Sequence, residues 1–296
     1  MKKTTLTSAI LASLMFLAPV AAQATPFSQF VEFSGALSDT GNYASTHGNS
    51  PAPFFQNRTT NGPVAGELLA AKMGFQVKSS NHLLGPATGT NFAVRDALAS
   101  GNGPDDLPNQ LKAYLEPRGG KADPDAFFFV FNGGNDVIVA ATTLQGADSE
   151  RILDAAVKGL ETNLRVLIKA GAKTIMAPNF IDISVLPALR DTPIAGHARH
   201  VSETYNRKFE AMLAGLEKEQ NFQFIHWDFD NFLKGVIAHG KEFGFTNTSD
   251  SCEALKAKGQ CNPDQFLYLT ETFPTAKVHA FMADAMAVQI ASRRVP

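Results

Sequence analysis

Apolar and polar positions alternate over Phe27-Ser28-Gln29-Phe30-Val31-Glu32-Phe33, and the pattern then breaks into the small residues Ser34-Gly35-Ala36. That change predicts a strand that runs into a sharp turn, with a Ser/Asp/Thr cluster from Ser38 to Thr40 opening a helix behind it. A second run, Ala126-Phe127-Phe128-Phe129-Val130-Phe131, is apolar throughout and bounded by Pro124 and Asn132-Gly133-Gly134, as a strand buried on both faces would be. Lys173 to Pro178 and Phe222 to Trp227 read as two further strands. Between them the spacing becomes helical: Val64 to Met73 closed by Gly74, a short helix opened by Asp106-Leu107-Pro108, and a long helix capped at Asp148-Ser149 that carries Leu153, Ala156, Leu160, Leu164 and Leu167 to Gly171. Another helix is expected from Ile194 to Gln220, one behind Asp228, and a last one from near Thr275. Gly85 to Ala97 reads as loop with a short extended piece, Asn91 to Val94.

Strands that alternate with helices predict an α/β protein, a three-layer α/β/α sandwich with a mostly parallel central sheet. The residues just past the strands' C-terminal ends then face the site. A length of 296 residues suits one large core, and 44% apolar with 18% charged residues is ordinary globular composition.

Lys2-Lys3, an apolar run from Leu6 to Val20 and Ala22-Gln23-Ala24 read as a cleavable secretory signal over residues 1–24, with a membrane anchor as the alternative. The expected mature domain is 25–296, with no integral span, in the periplasm or outside the cell. Removing Lys2 and Lys3 leaves 24 basic against 28 acidic residues without a basic cluster, so no nucleic-acid partner is expected. The two cysteines, Cys252 and Cys261, share one polar loop. In an exported chain they are expected to pair; a metal site is the alternative, and no histidine or further cysteine stands at ligand spacing.

The stretch Leu37-Ser38-Asp39-Thr40-Gly41-Asn42, with Gly133-Gly134-Asn135-Asp136 and Pro274-Thr275, resembles the GDSL (SGNH) hydrolases, lipases and esterases of the lipolytic secreted kind. The resemblance runs from Phe27 to about Ile290 and includes Asn206, the Gly244-Phe245-Thr246-Asn247 loop and both cysteines. It implies the sandwich fold and an ester-hydrolysing site, without metal or other cofactor. In the first block, however, Ser34, Gly35 and Ala36 stand where the family has Gly, Asp and its nucleophilic Ser. In the last, Thr270 and Phe273 replace the orienting Asp and the general-base His. A methyl cannot attack a carbonyl, and a phenyl ring cannot accept a proton.

Other positions carry over. Asn135 would aim its amide at the oxyanion, or cap the next helix. In the second block Arg95-Asp96 replaces a glycine pair, either as a surface ion-pair loop or as a reshaped pocket wall. The resemblance thus implies a ligand-binding floor of Ala36, Asp96 and Asn135, in a pocket that includes Ser34, Ser38, Asp39, Arg95, Gly134 and Phe273. The expected occupant is a lipid, fatty acid or ester, bound without turnover. An active esterase with Ser34 or Ser38 as a displaced nucleophile is the alternative, and an interaction module on a reused scaffold is a third. His279, six residues past Phe273, is expected to pack elsewhere.

Overall fold

The computed structural model describes residues 26–142, 146–218 and 222–293. The expected signal over 1–24 lies outside the described residues. In chain order the elements are β1 (Phe30–Ser34), α1 (Asn42–His47), α2 (Ala65–Lys72), α3 (Leu107–Leu115), β2 (Phe127–Phe131), α4 (Gly134–Thr142), α5 (Ala147–Lys169) and β3 (Thr174–Pro178). There follow α6 (Ala195–Leu216), β4 (Gln223–Trp227), α7 (Phe229–Ala238), β5 (Asn247–Ser251), α8 (Cys252–Lys256), β6 (Phe266–Tyr268) and α9 (Ala276–Ser292).

The central sheet is parallel in the order β1-β2-β3-β4, with Phe33 opposite Val130 and Ala177 opposite His226. A right-handed crossover between neighbours in such a series places every connecting helix on one face. Accordingly α4, α5 and α6 pack on one another, with α3 against α5. The chain leaves β1 in the other direction first. After α2 it returns along β1's free edge as the extended piece foreseen around Asn91, whose Phe92 N–H donates to the Glu32 carbonyl (2.7 Å) and whose Val94 N–H donates to that of Ser34 (3.1 Å). This reversed crossover puts α2 on the opposite face, where α9 joins it. The result is the three-layer α/β/α sandwich. The reversal makes the C-terminal ends of β1 and β2 the switch point of the sheet, where a crevice opens.

All five residues of β2 are buried, as their unbroken apolar run requires. Phe128 stacks on Phe33 with ring centroids 6.5 Å apart, and Phe127 on Phe30 at 5.4 Å. Each buried phenyl contributes about 1.5–3 kcal/mol by the area removed from water.

The structure departs from the sequence expectation in four places. Gly146, not Asp148-Ser149, precedes α5, and Ser149 lies inside the helix with its hydroxyl on the Ala140 carbonyl (2.9 Å). The helix expected to reach Gln220 ends at Leu216, with Ile194 as its cap. Helix α1 follows the Ser38–Thr40 cluster as expected, whereas α4, which begins immediately at the turn after β2, is too short to show a full apolar period in sequence. The polar loop that carries the cysteines contains a small parallel sheet, β5 with β6, and α8. β5 is polar throughout with only its last residue buried, and β6 has only three residues, so neither shows a strand period. Cys252 and Cys261 are joined in a disulfide, as expected, with Cα atoms 4.7 Å apart. Among the described residues no helix is long and apolar enough to cross a membrane.

Candidate active site

Beyond Ser34 the chain turns through Gly35-Ala36-Leu37, closed by the Ser38 N–H on the Gly35 carbonyl (3.2 Å). A polar web fixes this turn from below. The Asp39 carboxylate accepts the N–H groups of Gly41 (2.7 Å), Asn42 (2.8 Å) and Tyr43 (3.1 Å) at the start of α1, and that of Arg95 (2.9 Å) across the crevice. Burial pushes its carboxyl up from the ordinary value, against the four N–H bonds that pull it down. Asn42 donates to the carbonyls of Asn91 (2.9 Å) and Ala93 (2.8 Å), and Asn91 donates to Glu32 Oε2 (2.7 Å) and to the Ser38 carbonyl (2.8 Å). Glu32 is fully buried, and desolvation raises its carboxyl to about 8. Hydrogen bonds from Ser38 and Asn91 oppose that rise, while the charges of Glu67 and Asp39 add to it.

Ala36 sits at the top of the turn with its carbonyl held by the Thr59 hydroxyl (2.7 Å). Its methyl faces a cavity of about 130 Å³ that opens over the ends of β1 and β2. Seven of the residues expected at the site line this cavity: Ser34, Ala36, Arg95, Asp96, Gly134, Asn135 and Phe273. Ser38, Asp39 and Thr270 do not. Ser38 and Asp39 are each 1% exposed and face downward into the polar web, which is what a helical turn away from position 36 dictates. Ser34 donates its hydroxyl to the Phe131 carbonyl (2.7 Å), its neighbour in the sheet. Neither serine stands beside an imidazole.

Asn135, in the first turn of α4, corrects the role expected of it. Its amide donates to the carbonyls of Arg95 (2.9 Å) and Ala97 (2.8 Å), which uses both protons. The side chain therefore ties the third block to the second instead of pointing at an oxyanion. The approach is close: a Cβ on Gly35 would lie 3.2 Å from Asn135 Nδ2. Gly133, at φ 107°, lets the chain turn beneath Tyr205, whose hydroxyl would lie 2.0 Å from an added Cβ.

Arg95 decides between the two readings of the second block. It forms no ion pair among the described residues; its guanidinium lies over the rings of Tyr43 (4.6 Å) and Phe54 (5.7 Å) and donates to the Ser50 hydroxyl. Two aromatic faces and a hydroxyl hold the cation as a wall of the crevice. Phe273 continues that wall, edge-on to Phe54 with centroids 6.1 Å apart. Asp96 is exposed at the rim.

The last block forms a tight turn held by Thr270. The Thr270 hydroxyl accepts the N–H groups of Phe273 (3.1 Å) and Thr272 (3.4 Å), and the Leu269 N–H donates to the Phe273 carbonyl (2.8 Å). His279 is fully buried on α9, where Nδ1 accepts the Ala65 N–H (3.1 Å) at the start of α2, and desolvation lowers its pKa to about 3. It packs away from the cavity, as helix geometry predicts. None of the chain's seven histidines lines the cavity.

The rest of the lining is mainly apolar, with Asn132 and Thr272 as polar exceptions, and most of it was not singled out as part of the site from sequence. Phe131, Phe180 and Phe229 contact one another with centroids 5.6–6.3 Å apart, and Leu186, Leu233 and Tyr268 complete the wall. Phe180 and Phe229 each stand two residues past β3 and β4, so the rule that ligands meet the C-terminal ends of parallel strands points to them.

A domain model described as GDSL-like Lipase/Acylhydrolase matches residues 36–286, and the chain belongs to that family. The phosphatidylcholine-sterol acyltransferase of Aeromonas hydrophila is 26% identical over 251 residues, which cover 82% of this chain and 70% of that protein. Esterase EstA of Pseudomonas aeruginosa is 29% identical over 278 residues, 81% of this chain but only 41% of that protein. Among solved structures, an acetylxylan esterase from Geobacillus stearothermophilus superposes with a TM-score of 0.48 at 16% identity, covering 90% of this chain and 96% of its own.

Proposed function

We propose that the chain is an exported member of its family that holds a short acyl, ester or carboxylic ligand in the cavity without hydrolysing it by the Ser-His-Asp route. One observation carries this reading: the cavity is mainly apolar, and Ala36 and Phe273 stand in its wall while no histidine does. Acyl transfer by this route needs a nucleophile and a base within hydrogen-bond reach of each other. A methyl and a phenyl ring supply neither. The donor expected from Asn135 is committed elsewhere, which removes a further source of transition-state stabilisation. The signal over 1–24, its removal to leave the domain 25–296, and a periplasmic or extracellular location belong to the same proposal, for which the disulfide speaks.

The displaced-nucleophile alternative has less support. The Ser34 hydroxyl is bonded within the sheet and Ser38 is buried below the turn. Hydrolysis of short- and medium-chain p-nitrophenyl esters by the purified chain, beside the triple reversion Ala36→Ser/Thr270→Asp/Phe273→His, tests the reading. Silence from the native chain with turnover by the reversion is expected. Turnover by the native chain that disappears in Ser34→Ala or Ser38→Ala would refute it.

A further inference from the structure

Arg95 is the one positively charged residue in the lining of the cavity, and among the described residues its guanidinium meets no carboxylate. Asp39 takes its backbone N–H (2.9 Å), and Asp96, the next residue, is exposed at the rim. The guanidinium donates one hydrogen bond, from Nη2 to the Ser50 hydroxyl. Nε is buried without a partner; Nη1 is unpartnered too, but it is not buried. One arm of the fork is therefore open.

Arg58, in the neighbouring loop, shows what a completed guanidinium looks like. Its Nε (3.1 Å) and Nη2 (2.5 Å) both donate to the Glu67 carboxylate. Arg95 has no counterpart to Glu67. Tyr43 and Phe54 favour the cation through their ring faces, at 4.6 and 5.7 Å, but they fill none of its N–H donors. A guanidinium carries donors only and stays charged, so drawing it partly out of water without an anion is costly. The missing partner is an anion, and the accessible Nη1 is where it attaches.

The surroundings restrict that anion. A planar carboxylate matches the guanidinium fork. One cation offsets one negative charge, and a second charge on the ligand would face Asp96 at the rim unopposed. Beyond the head the walls are apolar, built by Phe131, Phe180 and Phe229 in mutual contact with Leu186 and Leu233. The volume sets the length: a cavity of roughly 150 Å³ holds benzene, so about 130 Å³ takes about six carbon atoms.

We propose that Arg95 is the head-group receptor of the cavity, which selects a short monocarboxylate with its chain of about six carbons among the phenyl rings and its carboxylate on the Arg95 guanidinium at the mouth. This rests on the acyl-cavity reading and narrows its ligand from acids, esters and lipids to the free acid anion.

The test is a titration of the full chain, followed by heteronuclear NMR shifts, with hexanoate, hexanamide, hexyl phosphate and benzene at pH 7.5 in low salt, repeated with Arg95→Gln and Arg95→Lys. Hexanoate is expected to bind about three- to tenfold more tightly than hexanamide, the range for a charged hydrogen bond moderated by solvent, and added salt should shrink that advantage. Arg95→Gln should erase it, Arg95→Lys should keep part of it, and benzene should bind all three proteins alike. Benzene bound normally, with hexanamide equal to hexanoate or with hexanoate indifferent to Arg95→Gln, would overturn the proposal and leave the acyl cavity standing. Hexyl phosphate bound more tightly than hexanoate would overturn the choice of a monocarboxylate. No binding of any probe, benzene included, would overturn the acyl cavity itself and this proposal with it.

Discussion

The turn after β1 and the turn before α9 face each other across the same crevice, and they have been treated differently. Below Ala36 a closed polar web holds the turn: Asp39 collects four N–H groups, and Asn42, Asn91 and Glu32 lock the turn to the second block. Around Phe273 the backbone turn is held by the Thr270 hydroxyl, and neither Thr270 nor Phe273 brings a titratable side chain to the cavity. The difference teaches which residues a fold can surrender. Removing one member of a buried network strands its partners, so the network must change as a whole or not at all. A side chain that faces a cavity, as Phe273 does, has few such partners, and its replacement costs the fold little.

The strongest way to break this comparison is to remove Asp39. Asp39→Ala leaves four N–H groups unpaired and should destabilise the chain by at least about 3 kcal/mol, read as a lower urea midpoint. A midpoint close to the native one would mean that the web does not hold the turn.

Glu32 sharpens the comparison through pH. Its folded pKa of about 8 lies above its ordinary 4.5, so the folded state holds a proton that the unfolded chain releases. The stability it contributes is complete below 4.5 and is lost as the pH rises through about 8. Glu32→Gln should flatten that fall and leave the variant more stable than the native chain above pH 8, by on the order of a few kcal/mol. Parallel pH profiles for the two proteins would show that Glu32 ionises no differently when folded.

The smallest effect is expected at the other turn. Phe273 is half-buried, and Phe273→Ala should cost no more than about 1 kcal/mol, because it opens an existing mouth without creating a sealed void. A loss matching that of Asp39→Ala would make the aromatic wall part of the framework.

Much of this protein was legible in the order of its residues. The runs around Phe30, Phe128, Ile175 and Ile225 show the four strands, and β2's unbroken hydrophobicity shows its place at the centre. The site blocks were legible too, since Leu37 to Asn42 and Pro274-Thr275 fix the register in which Ala36 and Phe273 fall. The short helix α4 and the β5–β6 pair were not, because elements this short carry no clear period, while α1 was legible only through its capping cluster.

The sequence by itself determined the layered fold, the family, and which residues, Ala36, Thr270 and Phe273, stand in its motif blocks, because periodicity and side-chain identity are properties of the chain alone. Only the tertiary structure decided that Asn135 spends its amide on Arg95 and Ala97, and that Arg95 is clasped by Tyr43 and Phe54. The reason is physical. A side chain's role follows from which partners reach it, and in a parallel sheet those partners are brought from distant strands to one edge.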